Sequence, residues 1–248
     1  MLRVDSSKPH KIVYSVCKHA FLGYLIEPHV IQLNAGGNFS FTYQRLFSTT
    51  ATEFDSLLDD TDYKLITILE EIEQSNLIKR FYKKSIRPFN FFSTVFNDKL
   101  YEEFRPKIEE KLAQALALLK NKELYVMSNE GWPTGSRLHM ASEPTSVLFH
   151  FRRTATETRY FPTLRYKGAR IEFMFKNAQL ICNQPAYLLL DNTLYYFKED
   201  IEGKKLQPFL NKRFISIPSS SEEVYFDRFV APLIEKHAVY AEGFEIRT

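Results

Sequence analysis

Between Lys11 and Leu46, apolar and polar positions alternate at period two. Ile31 and Leu33 share one face, as do Phe39, Phe41 and Tyr43, while Ser40, Thr42 and Gln44 point the other way, which predicts strands with one half-buried face. The intervening Asn34-Ala35-Gly36-Gly37-Asn38 supplies residues that tolerate positive φ and reads as a hairpin turn. Its glycines are structural, because the chain continues as strand instead of entering a helix that would receive a phosphate. From Glu53 to about Lys120 the period changes. Leu65, Leu69, Ile72 and Asn76 follow helical spacing behind Asp59, Asp60 and Asp62, whose charge suits a helix N-terminus. A second stripe runs through Leu100, Phe104, Ile108, Leu112, Ala115 and Leu119, with Pro106 expected to kink it or to open a new helix. Phe89, Phe91, Phe92 and Phe96 are expected to pack beneath these helices.

Strands return from Glu123 to Ile217. Val147, Phe149 and Phe151 alternate with Leu148, His150 and Arg152, and Ile171, Phe173 and Phe175 alternate with Arg170, Glu172 and Met174. Thr154 to Glu157, Lys167-Gly168-Ala169 and Asp191-Asn192 are the expected turns, at the short spacing of an antiparallel sheet. Ser220 and Glu223 form a capping-box pattern ahead of a helix carrying Phe226, Val230, Leu233 and Ile234, which Pro232 should bend. After His237 the pattern turns extended and stops just past Phe244 and Ile246, as an excised segment would. Strands, then helices, then strands give an α+β class, with mainly antiparallel sheets, a central helical section and a C-terminal helix. The expected division is 1–122, a hairpin plus the helical section, and 123–248, a β-rich section with the C-terminal helix, with a single domain as the alternative.

Composition bounds the function. The 248 residues are 44% hydrophobic and 25% charged, the balance of a globular protein with a core to bury. A net charge of +3 is too small to mark the whole chain as a nucleic-acid or membrane binder, so local charge must decide. Cys17 and Cys182 are the only cysteines and form no CxxC pair, which argues against a disulfide framework and for a reducing compartment. The first residues lack an apolar signal core, and no stretch approaches 18 uninterrupted apolar residues. A cytoplasmic protein without membrane partners is expected.

Few residues are spaced for catalysis or metal binding. No phosphate-loop pattern is present, and the six histidines have neither HExxH nor metal-like spacing with the cysteines. No metal site is expected. Cys17 and His19 can share a strand face, but nothing nearby supplies the group that would orient the base. Glu102 with Glu103 and Glu109 with Glu110 read as solvated helix faces. The strongest local signal is basic: Arg137 to Lys176 holds eight Lys or Arg against three Glu, a net +5. With Thr158 to Lys167 as a strand, Arg159, Phe161, Thr163, Arg165 and Lys167 share one face, with Arg152 and Arg170 on flanking strands. Such a face, together with Arg153, can track a phosphate backbone and stack a base; the competing reading is a solvated face whose arginines pair with acids. Trp132, in the loop Glu130-Gly131-Trp132-Pro133-Thr134-Gly135, is either a stacking residue or a loop anchor on the core.

Several segments together resemble the region preceding the motor in bacterial Swi/Snf-type, superfamily 2 helicase-like ATPases. They are Phe21 to Pro28, Thr156 to Pro162, Tyr187 to Asp191 with Leu194 to Phe197, and Tyr225 to Val230 through Ala241 to Phe244. The resemblance implies a longer protein whose downstream lobes bind ATP and Mg and move on double-stranded DNA. Nothing in these residues matches the motor's nucleotide-binding lysine, acidic magnesium motif or arginine finger, so the segment itself is expected to be noncatalytic and without cofactor. As an accessory module it would contact DNA, bind the motor lobes or another protein, or restrain the motor. Arg152, Arg153, Arg159, Arg165, Lys167, Arg170 and Trp132 are the candidate nucleic-acid contacts, and a protein-interaction or structural module without nucleic-acid binding is the alternative.

Overall fold

The computed structural model describes residues 3–128, 131–198 and 201–243. The protein is α+β, and its chain divides into two compact units, Met1–His139 and Met140–Thr248. The division falls later than the expected 122 because β4 (Leu124–Met127) pairs parallel with β1 (His10–His19), tying residues beyond the helices back into the first sheet.

In the first unit, β1, β2 (Gly23–Leu33) and β3 (Phe39–Arg45) form an antiparallel meander, and β4 pairs with β5 (Pro133–Met140). The β2–β3 turn closes as expected: the Asn34 side chain accepts from the backbone of Gly36 and Asn38, and Gly37 takes φ +75°. Short α1 (Ser48–Ala51) leads to α2 (Asp60–Glu70), α3 (Gln74–Phe81), α4 (Pro88–Thr94) and α5 (Asp98–Leu118). The stripe from Leu65 to Asn76 is two helices, not one. Glu73 caps α3 by accepting from the amides of Ser75 and Asn76, which ends continuity after Glu70. Pro106 sits inside the unbroken α5. Phe91 and Phe92 are buried, whereas Phe89 is 82% exposed, because Phe89 stands in the first turn of α4 on the face away from the core.

The second unit contains β6 (Ser146–Arg153), β7 (Glu157–Tyr166) and β8 (Ala169–Ile171), then a meander of β9 (Gln179–Cys182), β10 (Tyr187–Leu190) and β11 (Thr193–Tyr196). β12 (Ile215–Pro218) pairs antiparallel with β7, and β13 (Val239–Glu242) pairs parallel with β6. Both units therefore hold a parallel pair, and the sheets are mixed where mainly antiparallel ones were expected. Lys167-Gly168 and Asp191-Asn192 have positive φ at both residues, the twist-matched hairpin turn. The alternation from Arg170 to Phe175 does not extend as strand: β8 ends at Ile171, and Phe175 and Asn177 take φ of +59° and +54°. Near the C-terminus, α6 (Glu222–Tyr225) runs through a π-helical segment, Phe226–Val230, into α7 (Ala231–Lys236). The expected cap is absent, and the π segment ahead of Pro232 takes up the irregularity. The extended stretch expected through Phe244 and Ile246 lies outside the described residues beyond Val239–Glu242 and Gly243.

Alternation decides what the second unit buries. Val147, Phe149 and Phe151 of β6 and Thr158, Tyr160 and Leu164 of β7 all face one core, with Leu188, Phe197, Phe209 and Ile217. The opposite face of the same two strands is left to carry chemistry.

Candidate nucleic-acid interface

On the outer face of the second unit, register places side chains in rows. Arg152 lies opposite Arg159, with Ser216 beyond Arg159 and Glu242 beyond Arg152. In the next row His150 lies opposite Phe161 and beside Tyr240. The rings of His150 and Phe161 stack at 4.9 Å and 7°, and Tyr240 meets His150 edge-on at 5.7 Å. Arg165 pairs with Arg170 across β7 and β8. A row of cations thus adjoins a row of rings.

Beside these rows is a cleft of about 570 Å³. Five cations line it: Arg152, Arg159, Arg170, Lys176 and Arg213. Phe161, Phe175 and Phe214 contribute rings, and Met174 and Glu172 complete the wall. Three of the arginines hold carboxylates: Arg152 donates to Glu242 at 2.8 Å, Arg159 to Glu157 at 2.7 Å, and Arg170 pairs with Glu172 at 2.7 Å. The Arg159 guanidinium also lies 4.6 Å over the Phe214 ring. Among the described residues Lys176 and Arg213 have no carboxylate partner, leaving five cations against three acids. The three paired arginine side chains are 44 to 61% exposed, and ion pairs that exposed contribute little, roughly 0–1 kcal/mol. An incoming phosphate can exchange for those acids at small cost. The field of the cluster registers on His150, whose pKa is lowered first by burial and then by Arg170, Arg152 and Arg165.

No family model, curated protein or solved structure matches the chain. Its functional reading therefore rests on its own residues.

Of the candidate contacts, Arg152, Arg159 and Arg170 meet in the cleft. Arg165 is exposed on the same face but does not line it. Lys167 has left the strand for the β7–β8 turn, its ammonium 5.4 Å from the Tyr166 ring centroid. Arg153 stands on the same side of β6 as Phe149 and Phe151 but at the strand's end, its side chain exposed and its guanidinium donating to Glu222, a carboxylate that also accepts from Thr158. Trp132 belongs to the first unit, half-buried and edge-on to Phe41 at 5.8 Å; Glu130 of its loop lies outside the described residues. Lys176, Arg213, Phe175 and Phe214 are not among the contacts expected from the sequence, where Lys176 counts only toward the net charge and Phe175 only toward the strand alternation. Arg213 and Phe214 arrive only because β12 pairs with β7, and no local pattern signals that.

Cys17 and His19 have structural roles. Burial and then Glu27 push the Cys17 thiol up to about 12, so it stays protonated. The His19 Nδ1 accepts from the backbone amides of Phe21 and Leu22, both at 3.2 Å, closing the β1–β2 turn. Among the described residues no group of three or more His, Cys, Asp or Glu is arranged to hold a metal ion, and no helix is long and apolar enough to cross a membrane.

Proposed function

We propose that this chain is a noncatalytic module that contacts nucleic acid through the five-cation cleft of its second unit. The observation carrying the reading is the convergence of Arg152, Arg159, Arg170, Lys176 and Arg213 from four separate stretches of chain onto one surface with two cations unpaired by acids. Guanidinium groups present forked donors that match phosphate oxygens, and each contact releases condensed counterions. The segments resembling the region ahead of Swi/Snf-type motors extend the proposal: the contact would serve a DNA-dependent ATPase located elsewhere in a longer protein. ATP and Mg would belong to that motor.

The test is a titration of the whole chain against labelled DNA at several salt concentrations, beside Arg170→Ala/Arg213→Ala. Affinity should fall as salt rises, and the double variant should flatten the log–log slope by roughly 2. Salt-independent or undetectable binding would refute the reading. It would favour the alternative of a protein-interaction module, for which Phe41, 84% exposed on β3 beside Trp132, is the best surface in the first unit.

A further inference from the structure

Phe175 does not fit a cleft that only grips a backbone. Its side chain is 58% exposed among five cations, and its backbone sits at φ +59°, a conformation that bulky side chains avoid. The position is fixed from both sides. Phe173, two residues earlier, is buried in the core at 2% exposure, and the Phe175 amide donates to the Leu210 carbonyl at 2.9 Å. Asn177, two residues later, is again left-handed. Among the described residues no other ring packs against Phe175, so one aromatic face is held ready and unused. Strain of this kind persists where the surroundings enforce it, and it collects at ligand-binding positions.

We propose that the cleft takes an unpaired nucleotide of a single-stranded nucleic acid, its base stacked on Phe175 and its phosphates on Arg170, Lys176 and Arg213. The proposal rests on the reading that this cleft contacts nucleic acid, and it names the form. In a duplex each base is stacked above and below and paired at its edge, so an aromatic ring in the protein reaches only phosphates and groove edges. An unpaired base offers a free π-face to any ring, whatever its sequence. Three rings and five cations in one recess of about 570 Å³ match a nucleotide's two halves. An acidic peptide would satisfy the cations and leave Phe175 bare.

The experiment compares binding of the 248-residue chain to four probes at fixed salt. The probes are a fluorescent 10-nucleotide thymidine oligomer, an abasic oligomer of the same length, a duplex, and free thymidine monophosphate as competitor. The thymidine oligomer is expected to bind roughly tenfold tighter than the abasic one, and Phe175→Ala should remove most of that difference while leaving duplex and abasic binding unchanged. Phe214→Ala and Phe175→Asn, the latter tolerant of positive φ, guard against loss of the loop's shape. Equal affinity for thymidine and abasic oligomers, or preference for the duplex, would overturn the inference while salt-sensitive binding lost in Arg170→Ala/Arg213→Ala preserved the phosphate-contact reading. Binding of none of the polymers would end both. Displacement by thymidine monophosphate at concentrations matching the oligomer's own affinity would make the occupant a free nucleotide and refute the single strand.

Discussion

Asp62 supports three unlike groups in the first unit, and removing it should cost more than any of them alone. The residue is 4% exposed. It accepts from the Tyr14 hydroxyl at 2.7 Å, closes the capping box by accepting from the Asp59 amide at 3.0 Å, and pairs with Lys122 at 2.8 Å. Asp62→Ala strands the Tyr14 hydroxyl, itself in a residue 1% exposed, which costs about 1–3 kcal/mol. Losing one arm of the capping box adds about 1 kcal/mol. Lys122 retains Asp59 at 2.7 Å, so little is added there. The expected total is about 3 kcal/mol, dominated by the orphaned phenol. In a Tyr14→Phe background no hydroxyl remains to be stranded, and Asp62→Ala should cost only about 1–1.5 kcal/mol. Trp132 is the single tryptophan and lies in the first unit, so its emission during urea unfolding reports that unit. A double-mutant cycle should give a coupling of about 1.5 kcal/mol between Tyr14 and Asp62. If the two costs add to within about 0.5 kcal/mol, the phenol was never dependent on Asp62 and the reasoning fails.

Two further outcomes follow from buried groups and turns. His29 is 2% exposed, and its pKa is driven from 6.5 down to about 3 by burial and then by Arg45; Glu27, 3.5 Å away, does not offset this. Between those values the unfolded chain binds a proton that the folded one refuses, so stability is complete above about pH 6.5 and is lost as pH falls toward 3. The Trp132-monitored stability should decline over that window with a slope of at most about 1.4 kcal/mol per pH unit from this residue, and His29→Gln should make it shallower; an unchanged slope would assign the loss to other groups. Gly168 holds φ +80° with nothing within 4 Å of a Cβ added there, so Gly168→Ala introduces backbone strain without a clash. The β7–β8 hairpin should lose about 1 kcal/mol, read as faster hydrogen exchange of the Leu164 and Tyr166 amides, and unchanged exchange would show that the turn relaxes.

The readable parts of the sequence were those governed by local rules. Period-two alternation separates the core set Val147, Phe149 and Phe151 from the outer set His150 and Arg152, and Arg159 and Phe161 from buried Tyr160, but misses that Arg153 lies on the other side and Lys167 in a turn; the Asn34–Asn38, Lys167-Gly168 and Asp191-Asn192 turns announce themselves through residues that accept positive φ. Glu73 has no distinguishing mark within the apolar stripe, yet its side chain caps the helix that follows and separates two helical runs. Parallel pairing of β1 with β4 and of β6 with β13 joins strands far apart in the chain, which no local spacing encodes. The candidate site divides the same way. Arg152, Arg159 and Arg170 were found because strand alternation ties them together, while Arg213 and Phe214 come from a distant strand. Phe175 reads in the sequence as one more apolar strand residue on the face of Ile171 and Phe173, and only its left-handed backbone sets it apart.

The parallel pairing of β13 with β6 also orders events during synthesis. Arg152 and Glu242, neighbours across that pair, are separated by 90 positions. β6 therefore emerges from the ribosome long before its partner, while β7 is available almost at once. Until β13 is made, one edge of β6 carries unpaired amides and carbonyls beside Phe149 and Phe151, a template for the wrong strand. A chain ending before Val239 would keep that edge open for good. Loss of β13 should thus be felt first as self-association of the second unit, before any loss of helices in the first.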